Sequence, residues 1–243
     1  MRIWFSGSTK RGANMVKLVI FDIDDTLLDH RAGAMKAISA LKQQLAELDY
    51  INEKYDFIIF LHAYEKRNHT LWSQFEIGKI TISDVLKKRF DYIFDWFDIR
   101  TQHKLIFEEV FWENYISNCH LTNNWISLLQ KIQSEFHLII CSNGMKEIQL
   151  KKLEKHKIIT FFDRFYFGDA HPNCKPNIDF FMRILEDFRL RPEQAIMVGD
   201  SVENDILPCQ KLGIKTLKYD GKTSFKKIYK ELSELKNGSK SFI

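Results

Sequence analysis

The first residues that could do chemistry are carboxylates at the end of an apolar run, residues 16–23. Asp22 and Asp24 lie two positions apart, and Asp25 follows at once. In an extended chain, residues i and i+2 point to the same side, so Asp22 and Asp24 can face one reaction centre. Unpaired carboxylates at this spacing repel each other and need a counter-cation, and a set of oxygen ligands suits Mg²⁺. The alternative interpretation is an acidic turn or helix cap.

A second apolar run, residues 195–198, also ends in acidic residues. Gly199 is followed by Asp200 and Ser201, and Asp205 comes four positions later. Open α/β sheets bind their ligands beyond the carboxyl ends of the strands. Two strands that end in acids therefore indicate a site more strongly than one does. Taken alone, this segment could also be only a turn and a helix N-cap.

Two further segments could bind an anion. Ser142, Asn143 and Gly144 form a strand-to-helix turn, where a hydroxyl and free backbone N–H groups can face a ligand. Lys175 precedes another helical pattern and could supply a positive charge. Each segment alone is more typical of an ordinary turn and a solvated lysine. Whether these residues can bind an anion together depends on the strands and helices that position them.

Alternating strands and helices are the elements that must position these residues. Apolar runs predict strands at residues 16–23, 136–141, 195–198 and 214–217, with a weaker one at 164–167. Between them, apolar residues recur at helical spacing, as in Trp125, Leu128, Leu129 and Ile132. Strands that alternate with helices pair in parallel through right-handed crossovers. We therefore predict an α/β fold with a doubly wound, Rossmann-like parallel sheet of about five strands.

The interval between residues 29 and 122 interrupts this alternation. It contains no convincing strand and is too long for a structureless connection. Helix-length patterns lie at residues 31–50, 53–68, 83–97 and 102–117, the last with Leu105, Glu109, Trp112 and Ile116 at helical spacing. We predict an inserted all-α domain over residues 31–119. We expect most of its aromatic residues, including Trp72, Trp96 and Trp112, to form its core rather than a ligand cage.

The charge distribution argues against nucleic acid as a partner. The 243-residue chain has a net charge of +4, and residues 1–14 and 221–243 carry +3 and +4 respectively, which leaves −3 for residues 15–220. This slightly acidic body lacks the positive field that phosphate backbones require. The four cysteines form no CxxC pair, and no run is apolar enough to span a membrane. We therefore expect a cytoplasmic protein that binds neither nucleic acid nor membrane.

The four motifs together, in this order, resemble the haloacid dehalogenase (HAD) superfamily of phosphohydrolases. The matching residues are DxDxT at 22–26, Ser142, Lys175 and GDxxxxD at 199–205, and the resemblance extends from residue 15 to residue 220. It implies the strand order 3-2-1-4-5 and a helical cap inserted between the first two motifs. The implied domains are a discontinuous core at 15–30 and 120–235 and a cap at 31–119, with an N-terminal extension at 1–14 and a tail at 236–243.

The resemblance also implies a role for each motif residue. Asp22 would be the nucleophile that forms an aspartyl-phosphate, and Asp24 the general acid and then the general base. Mg²⁺ would be bound by Asp22, the backbone carbonyl of Asp24 and Asp200. The phosphate would be bound by Ser142, Asn143 and Lys175. Ser201 and Asp205 would support these residues. The second acid, Asp24, argues against the dehalogenase branch of the superfamily. These roles predict a phosphatase that uses Mg²⁺.

Two segments near the motifs bear on the substrate class. The DDTLLD segment, together with Ser-Asn-Gly followed by Gln149 and Leu153, is most similar to the pyrimidine 5'-nucleotidase branch. The similarity implies a nucleoside 5'-monophosphate. A cap that can close over the site and exclude water suits a small metabolite rather than a phosphoprotein, and we infer no obligatory protein partner. The alternatives are a phosphosugar or phosphoglycolate-type phosphatase, a phosphomutase, a phospho-accepting receiver-like domain, and a catalytically silent phosphate-binding regulator. Receiver domains are much shorter than this chain, and the complete set of acids argues against a silent regulator.

Overall fold

A computed structural model describes residues 15–169 and 174–236. The predicted extension, residues 1–14, and nearly all of the predicted tail lie outside these ranges. The strands are β1 (Leu18–Phe21), β2 (His137–Ser142), β3 (Arg164–Phe167), β4 (Ala195–Gly199) and β5 (Lys215–Lys218). They form one parallel sheet in the order β3-β2-β1-β4-β5. The predicted fold class and the strand order 3-2-1-4-5 are confirmed.

Helices account for most of the rest of the described chain. Four lie between β1 and β2, namely α1 (His30–Glu47), α2 (Phe57–Glu76), α3 (Ile82–Trp96) and α4 (Thr101–Asn118), and together they are called the cap. The others are α5 (Trp125–Ile132), α6 (Lys146–Lys155), α7 (Ile178–Phe188), α8 (Leu207–Leu212) and α9 (Phe225–Lys236). None of the helices in residues 15–169 and 174–236 is long and apolar enough to cross a membrane.

The central strand β1 is buried on both faces of the sheet. Leu18 and Ile20 pack with residues of α7 and α8, including Phe181. Val19 and Phe21 point the other way and pack with residues of α5, α6 and α9. Because successive side chains of a strand point to opposite faces, a strand covered on both sides must be apolar throughout. This explains why β1 is a continuous apolar run that changes to acids only at its carboxyl end.

The cap is held together by aromatic side chains. Phe60 and Phe97 lie in contact, with ring centroids 4.7 Å apart. On α4 the buried residues are Phe107, Phe111 and Tyr115, whereas Leu105 is 65% exposed. The face of α4 predicted from the spacing that begins at Leu105 is therefore not the buried one. The helix instead buries the face with Phe107, Phe111 and Tyr115, because these aromatic side chains remove more apolar surface from water.

The tryptophans of the cap lie nearer to its edges than its phenylalanines. Trp72 and Trp112 are partly buried, and Trp96 is 39% exposed. The indole N–H of Trp96 donates to the hydroxyl of Tyr55. A tryptophan at the edge keeps its N–H close to a polar partner, which phenylalanine does not need.

The two chain segments that connect the cap to the core run side by side. Leu28 forms an antiparallel bridge with Leu121. The Asp29 N–H donates to the carbonyl of His120 at 2.8 Å, and the Thr122 N–H donates to the carbonyl of Leu27 at 3.0 Å. The cap thus begins and ends at the same point, next to the carboxyl end of β1.

Candidate active site

Three carboxylates meet at the carboxyl edge of the sheet, between β1 and β4. Asp22 follows β1, and its N–H donates to the carbonyl of Val198 at 3.0 Å, which holds the ends of the two strands together. Asp200 follows β4, and Asp205 lies on the turn after it. Oxygen atoms of Asp22, Asp200 and Asp205 all lie within 4.8 Å of one another. Such a set of hard oxygen donors fits a divalent cation such as Mg²⁺.

Lys175 lies inside this group of acids and is 3% exposed. Its ammonium donates to Oδ1 of Asp22 at 2.7 Å and to Oδ1 of Asp205 at 2.6 Å. The other oxygen of Asp205 accepts from the Ser201 N–H at 3.1 Å, and Ser201 precedes the π-helical turn Val202–Ile206 that carries Asp205. Because both oxygens of Asp205 are engaged by the protein, its geometry fits the predicted supporting role.

The electrostatics of this group indicate a need for more positive charge. Burial raises the pKa of Asp22 to about 7, and repulsion from Asp205 and Asp24 adds to this effect while Lys175 opposes it. Burial and repulsion from Asp22 and Asp25 raise the pKa of Asp200 to about 6. Carboxyl groups whose charged form is disfavoured in this way regain it when a cation binds.

Lys175 responds in the opposite sense to the same neighbours. Burial acts to lower its pKa, but the carboxylates of Asp205 and Asp22 raise it well above the usual value. The lysine therefore stays charged at any physiological pH. A fixed cation next to Asp22 is suited to binding the oxygens of an anionic substrate.

Asp24 has a separate set of partners. The Lys152 ammonium donates to Oδ1, the Gln149 amide donates to Oδ2 at 2.6 Å, and the ring of His30 lies 4.0 Å from Oδ1. Burial acts to raise the pKa of Asp24, but the charges of Lys152 and His30 and the two hydrogen bonds lower it to about 2. In this arrangement Asp24 is a carboxylate, the form that can accept a proton.

Ser142 is buried at the end of β2, beside the same glutamine. Its hydroxyl oxygen accepts from the Gln149 amide at 3.0 Å and from the Gly144 N–H at 3.1 Å. A Cβ atom on Gly144 would lie 1.9 Å from Nε2 of Gln149, so only glycine leaves room for this glutamine. The Ser-Asn-Gly turn therefore permits a contact between α6 and both Ser142 and Asp24.

Asn143 is engaged with the loop that carries Lys175. The Asn143 amide donates to the carbonyl of Lys175 at 2.7 Å and accepts from its N–H at 2.9 Å. Both polar atoms of this side chain thus hold the backbone of Lys175. The phosphate-binding role of Asn143 stays a prediction, and its side chain in this structure acts on the position of the lysine.

Some residues at the site were missed by the sequence reasoning. Lys152, His30 and Tyr115 received no role, and Thr26 was noted only as part of its motif although its hydroxyl donates to Asp200 at 3.3 Å. The one available signal was the spacing of Gln149 and Lys152, which places them on the same face of α6 as the buried Leu153. His30 lies only six residues after Asp24 but belongs to no pattern that indicates a role. No local pattern could have identified Tyr115, because it reaches the site only through the packing of α4.

The cap reaches the site from two directions. His30 and Tyr115, on α1 and α4, lie beside Asp24 and Lys152. On the other side, the Asn204 amide donates to the Glu76 carboxylate at the end of α2, at 2.7 Å. The cap therefore contacts core residues on both sides of the acidic group.

The comparison with protein families agrees with the geometry. Residues 19–219 match the family described as haloacid dehalogenase-like hydrolase. This chain belongs to that family. The matched part contains all eight predicted site residues and the whole cap, and the predicted family is confirmed.

The curated relatives of this HAD-like hydrolase include phosphatases. It is 26% identical to YfnB of Bacillus subtilis, a protein described as a HAD-hydrolase, over 82% of both chains. It is 25% identical to the pyrimidine 5'-nucleotidase PynA of Streptococcus pneumoniae over 84% of both chains. It is 30% identical to the phosphoglycolate phosphatase of Vibrio cholerae, over 82% of this chain and 81% of the relative.

Solved structures share its fold. The magnesium-bound crystal structure of YfnB has a TM-score of 0.72 and 23% identity, and covers 90% of this chain and 99% of that one. A HAD family enzyme from Bacteroides thetaiotaomicron, in complex with magnesium and inorganic phosphate, has a TM-score of 0.59 and 17% identity, with 86% and 96% covered. At these identities the likeness is one of fold.

Proposed function

We propose that this HAD-like hydrolase is a Mg²⁺-dependent phosphatase that hydrolyses a small phosphomonoester through an aspartyl-phosphate on Asp22. The observation that carries the proposal is the group of oxygens from Asp22, Asp200 and Asp205 within 4.8 Å, with the Lys175 ammonium among them. Mg²⁺, held by Asp22, the backbone carbonyl of Asp24 and Asp200, would supply the charge that offsets repulsion between a carboxylate nucleophile and a phosphate dianion.

The protein's own donors would hold the phosphoryl group. We propose that the Ser142 hydroxyl and the Lys175 ammonium bind its non-reacting oxygens, where charge builds up in the transition state. Lys175 is suited to this because Asp205 and the side chain of Asn143 already fix its position. Donors that are in place before the reaction need no rearrangement during it.

Asp24 would move protons in both halves of the reaction. In the first half Asp22 attacks phosphorus and Asp24 gives a proton to the departing oxygen, and in the second half Asp24 takes a proton from the attacking water. The second half requires the charged carboxylate, and the charge of Lys152 favours that form. For the first half, the negative charge of the bound phosphate raises the pKa of the nearby Asp24 carboxyl and so favours the protonated form.

We also propose the division of the chain into a core, residues 15–30 and 120–235, and a cap, residues 31–119. The paired linkers at Leu28 and Leu121 support boundaries near these positions. The proposed core supplies every reacting group, whereas the cap covers the site and would recognise the rest of the substrate. A cap that covers the site suits a small metabolite better than a phosphoprotein.

Nucleoside 5'-monophosphates are the substrate class we propose. The support is the similarity to PynA, a pyrimidine 5'-nucleotidase, over 84% of both chains. The second candidate is a phosphoglycolate-type substrate, which the 30% identity to the phosphoglycolate phosphatase of Vibrio cholerae favours. The two classes differ in size and charge beyond the phosphate, so one experiment can separate them.

A screen of phosphorylated metabolites tests both the activity and the substrate. We expect the purified protein to release inorganic phosphate with Mg²⁺ and to stop when EDTA is added, with a nucleoside 5'-monophosphate hydrolysed fastest. A phosphomutase would instead produce an isomeric phosphate ester, which mass-matched chromatography detects. Absence of Mg²⁺-dependent phosphate release from every phosphomonoester would refute the proposed function.

A further inference from the structure

Lys152 is a buried lysine on a helix whose other lysines face solvent. It is 0% exposed, whereas the side chain of its neighbour Lys151 is 53% exposed and pairs with Glu147 on the helix surface. Burying an ammonium group costs free energy unless a partner of opposite charge compensates for it. A methionine at this position would pack without that cost, so the presence of lysine requires an explanation beyond packing.

The partner of Lys152 is Asp24, and the contact fixes how that carboxylate is turned. The Lys152 ammonium donates to Oδ1, and Gln149, three residues earlier on the same face of α6, donates to Oδ2 at 2.6 Å. Each oxygen has its own donor, so rotation of the carboxylate breaks both hydrogen bonds. Lys152 and Gln149 together therefore hold Asp24 in one orientation.

The same contact reaches the cap. The ammonium of Lys152 lies 3.3 Å from the hydroxyl of Tyr115 on α4 and 5.1 Å from the centre of its ring. The Tyr115 hydroxyl is also 2.6 Å from Nδ1 of His30, the first residue of α1. A chain of contacts thus joins the first residue of α1 and the last turn of α4 to the carboxylate of Asp24.

We infer that Lys152 is a positioning residue that orients Asp24 for proton transfer, with Gln149 and the cap residue Tyr115 as its supports. The inference rests on the proposed function, because the proton transfer by Asp24 belongs to that function. Lys152 acts through Asp24. Its removal therefore affects the steps in which Asp24 moves a proton and leaves phosphate and metal binding intact.

The test compares leaving groups in Lys152→Met, with Lys151→Met as the matched control on the same helix. p-Nitrophenolate leaves without help from an acid, whereas an alkoxide needs a proton. In a single turnover on p-nitrophenyl phosphate, we expect Lys152→Met to release p-nitrophenol within about threefold of the wild-type rate. For the alkyl phosphomonoester that the wild type hydrolyses fastest, we expect the same step to slow by about 100-fold.

The second half of the reaction gives a further readout. Water attack needs Asp24 with either substrate, so we expect the steady-state kcat of Lys152→Met to fall by about 100-fold for both, with the phosphorylated protein accumulating. KM for the alkyl ester and the rise in Tm that Mg²⁺ causes should stay within about twofold of wild type, whereas KM for p-nitrophenyl phosphate should fall together with kcat because the phosphorylated protein accumulates. Equal single-turnover losses for both substrates, or no loss for either, would overturn the inference.

Two further measurements keep the inference testable if Lys152→Met fails to fold. Tyr115→Phe removes only the hydroxyl beside Lys152, and we expect the same preference for the better leaving group with a loss of about threefold to tenfold for the alkyl ester. Equal losses on both esters would contradict the inference.

A crystal structure of Lys152→Gln should show the Asp24 carboxylate rotated away from its wild-type orientation. If the wild type released no phosphate at all, the proposed function would be wrong, and this crystal structure would still decide whether Lys152 orients Asp24.

Discussion

The core and the cap bury charged side chains in different ways. At the sheet edge of the core, Lys175 donates to Asp22 and Asp205, and Lys152 donates to Asp24. In the cap, Arg89 on α3 is 6% exposed, and its Nε and Nη2 atoms have no hydrogen-bond partner among the described residues. Its guanidinium donates a hydrogen bond to Tyr64 and acts to lower the pKa of that phenol, which burial raises. It also lies over aromatic rings, 5.1, 4.7 and 4.9 Å from the centroids of Phe90, Phe111 and Trp112 respectively.

The difference separates two kinds of stabilisation. An ion pair with hydrogen bonds depends on distance and angle, so one substitution leaves its partner buried and uncompensated. A guanidinium over aromatic rings depends little on direction, and its attraction is modest, about 0.5–2 kcal/mol. We therefore expect substitutions in the core to have large effects on activity and stability, and the matching substitution in the cap to have a small one.

The largest effect is expected for the proposed nucleophile. Asp22→Asn keeps the shape of the side chain but removes the charge that attacks phosphorus, so turnover should fall by at least about 10⁴-fold. The measurement is Mg²⁺-dependent phosphate release under saturating substrate. Asp163→Asn, which changes an exposed acid beside β3, serves as the control and should keep full activity. Wild-type turnover in Asp22→Asn would show that Asp22 is not the nucleophile.

The next effect concerns the stability of the metal-free core. Lys175→Met leaves Asp22 and Asp205 buried with no cation between them, so the free energy of unfolding at pH 7.5 should fall by about 3 kcal/mol. Urea unfolding in the presence of EDTA measures this. Adding Mg²⁺ should restore part of the loss. An unchanged free energy of unfolding would mean that the ion pairs do not hold the core together.

A smaller effect is expected from pH, and its sign follows from the raised pKa values. Folding raises the pKa of Asp22 from 3.8 to about 7 and that of Asp200 from 3.8 to about 6. Their contribution to the stability of the metal-free protein is fully present below pH 3.8 and is lost as the pH rises towards 7. Mg²⁺ binding needs the charged form, so the apparent Mg²⁺ affinity should be about tenfold weaker at pH 6 than at pH 8.

Thermal unfolding with and without Mg²⁺ at the two pH values measures this effect. The rise in Tm that Mg²⁺ causes should be larger at pH 8 than at pH 6. Asp200→Asn is the control, because it removes one titrating ligand and should shrink the Mg²⁺ effect at both pH values. Equal shifts in the wild type at pH 6 and pH 8 would contradict the prediction.

The smallest effect is expected in the cap. Arg89→Met removes the attraction to the three rings but also the cost of burying the guanidinium, so the free energy of unfolding should change by about 1 kcal/mol or less. Phe107→Ala on α4, which removes a fully buried ring, should lower it by about 3–5 kcal/mol and shows that the assay detects losses in the cap. A loss in Arg89→Met as large as that in Lys175→Met would abolish the contrast between the two regions.

The sequence predicted the strands well because β1 and β4 are apolar throughout and end in acids. Strand β3 was predicted at its observed bounds, residues 164–167. Helix α2 was predicted to end at residue 68, yet it continues to Glu76, because Leu71 and Phe75 extend its buried face. Helix ends in the cap depend on contacts with other helices, and local patterns carry little information about these contacts.

The sequence predicted the acidic half of the site better than the basic half. Asp22 and Asp200 stood out because acids are unfavourable at the ends of buried strands. Lys152 lies in a segment, KEIQLKKLEK, where lysines alternate with acids and are typical of a solvated helix face. It is buried because Asp24, 128 positions away in sequence, and Tyr115, 37 positions away, contact it. A pairing of this kind between distant segments has no local signature.

The bridge between Leu28 and Leu121 has a consequence for how the molecule can evolve. Because the inserted helices leave and rejoin the sheet at a single point, their number and length can change without shifting the register of β1 against β2. New specificities can thus arise by exchange of the whole insert, while the acids at the sheet edge stay where they are. A chimaera joined at these two leucines is the corresponding tool for the laboratory.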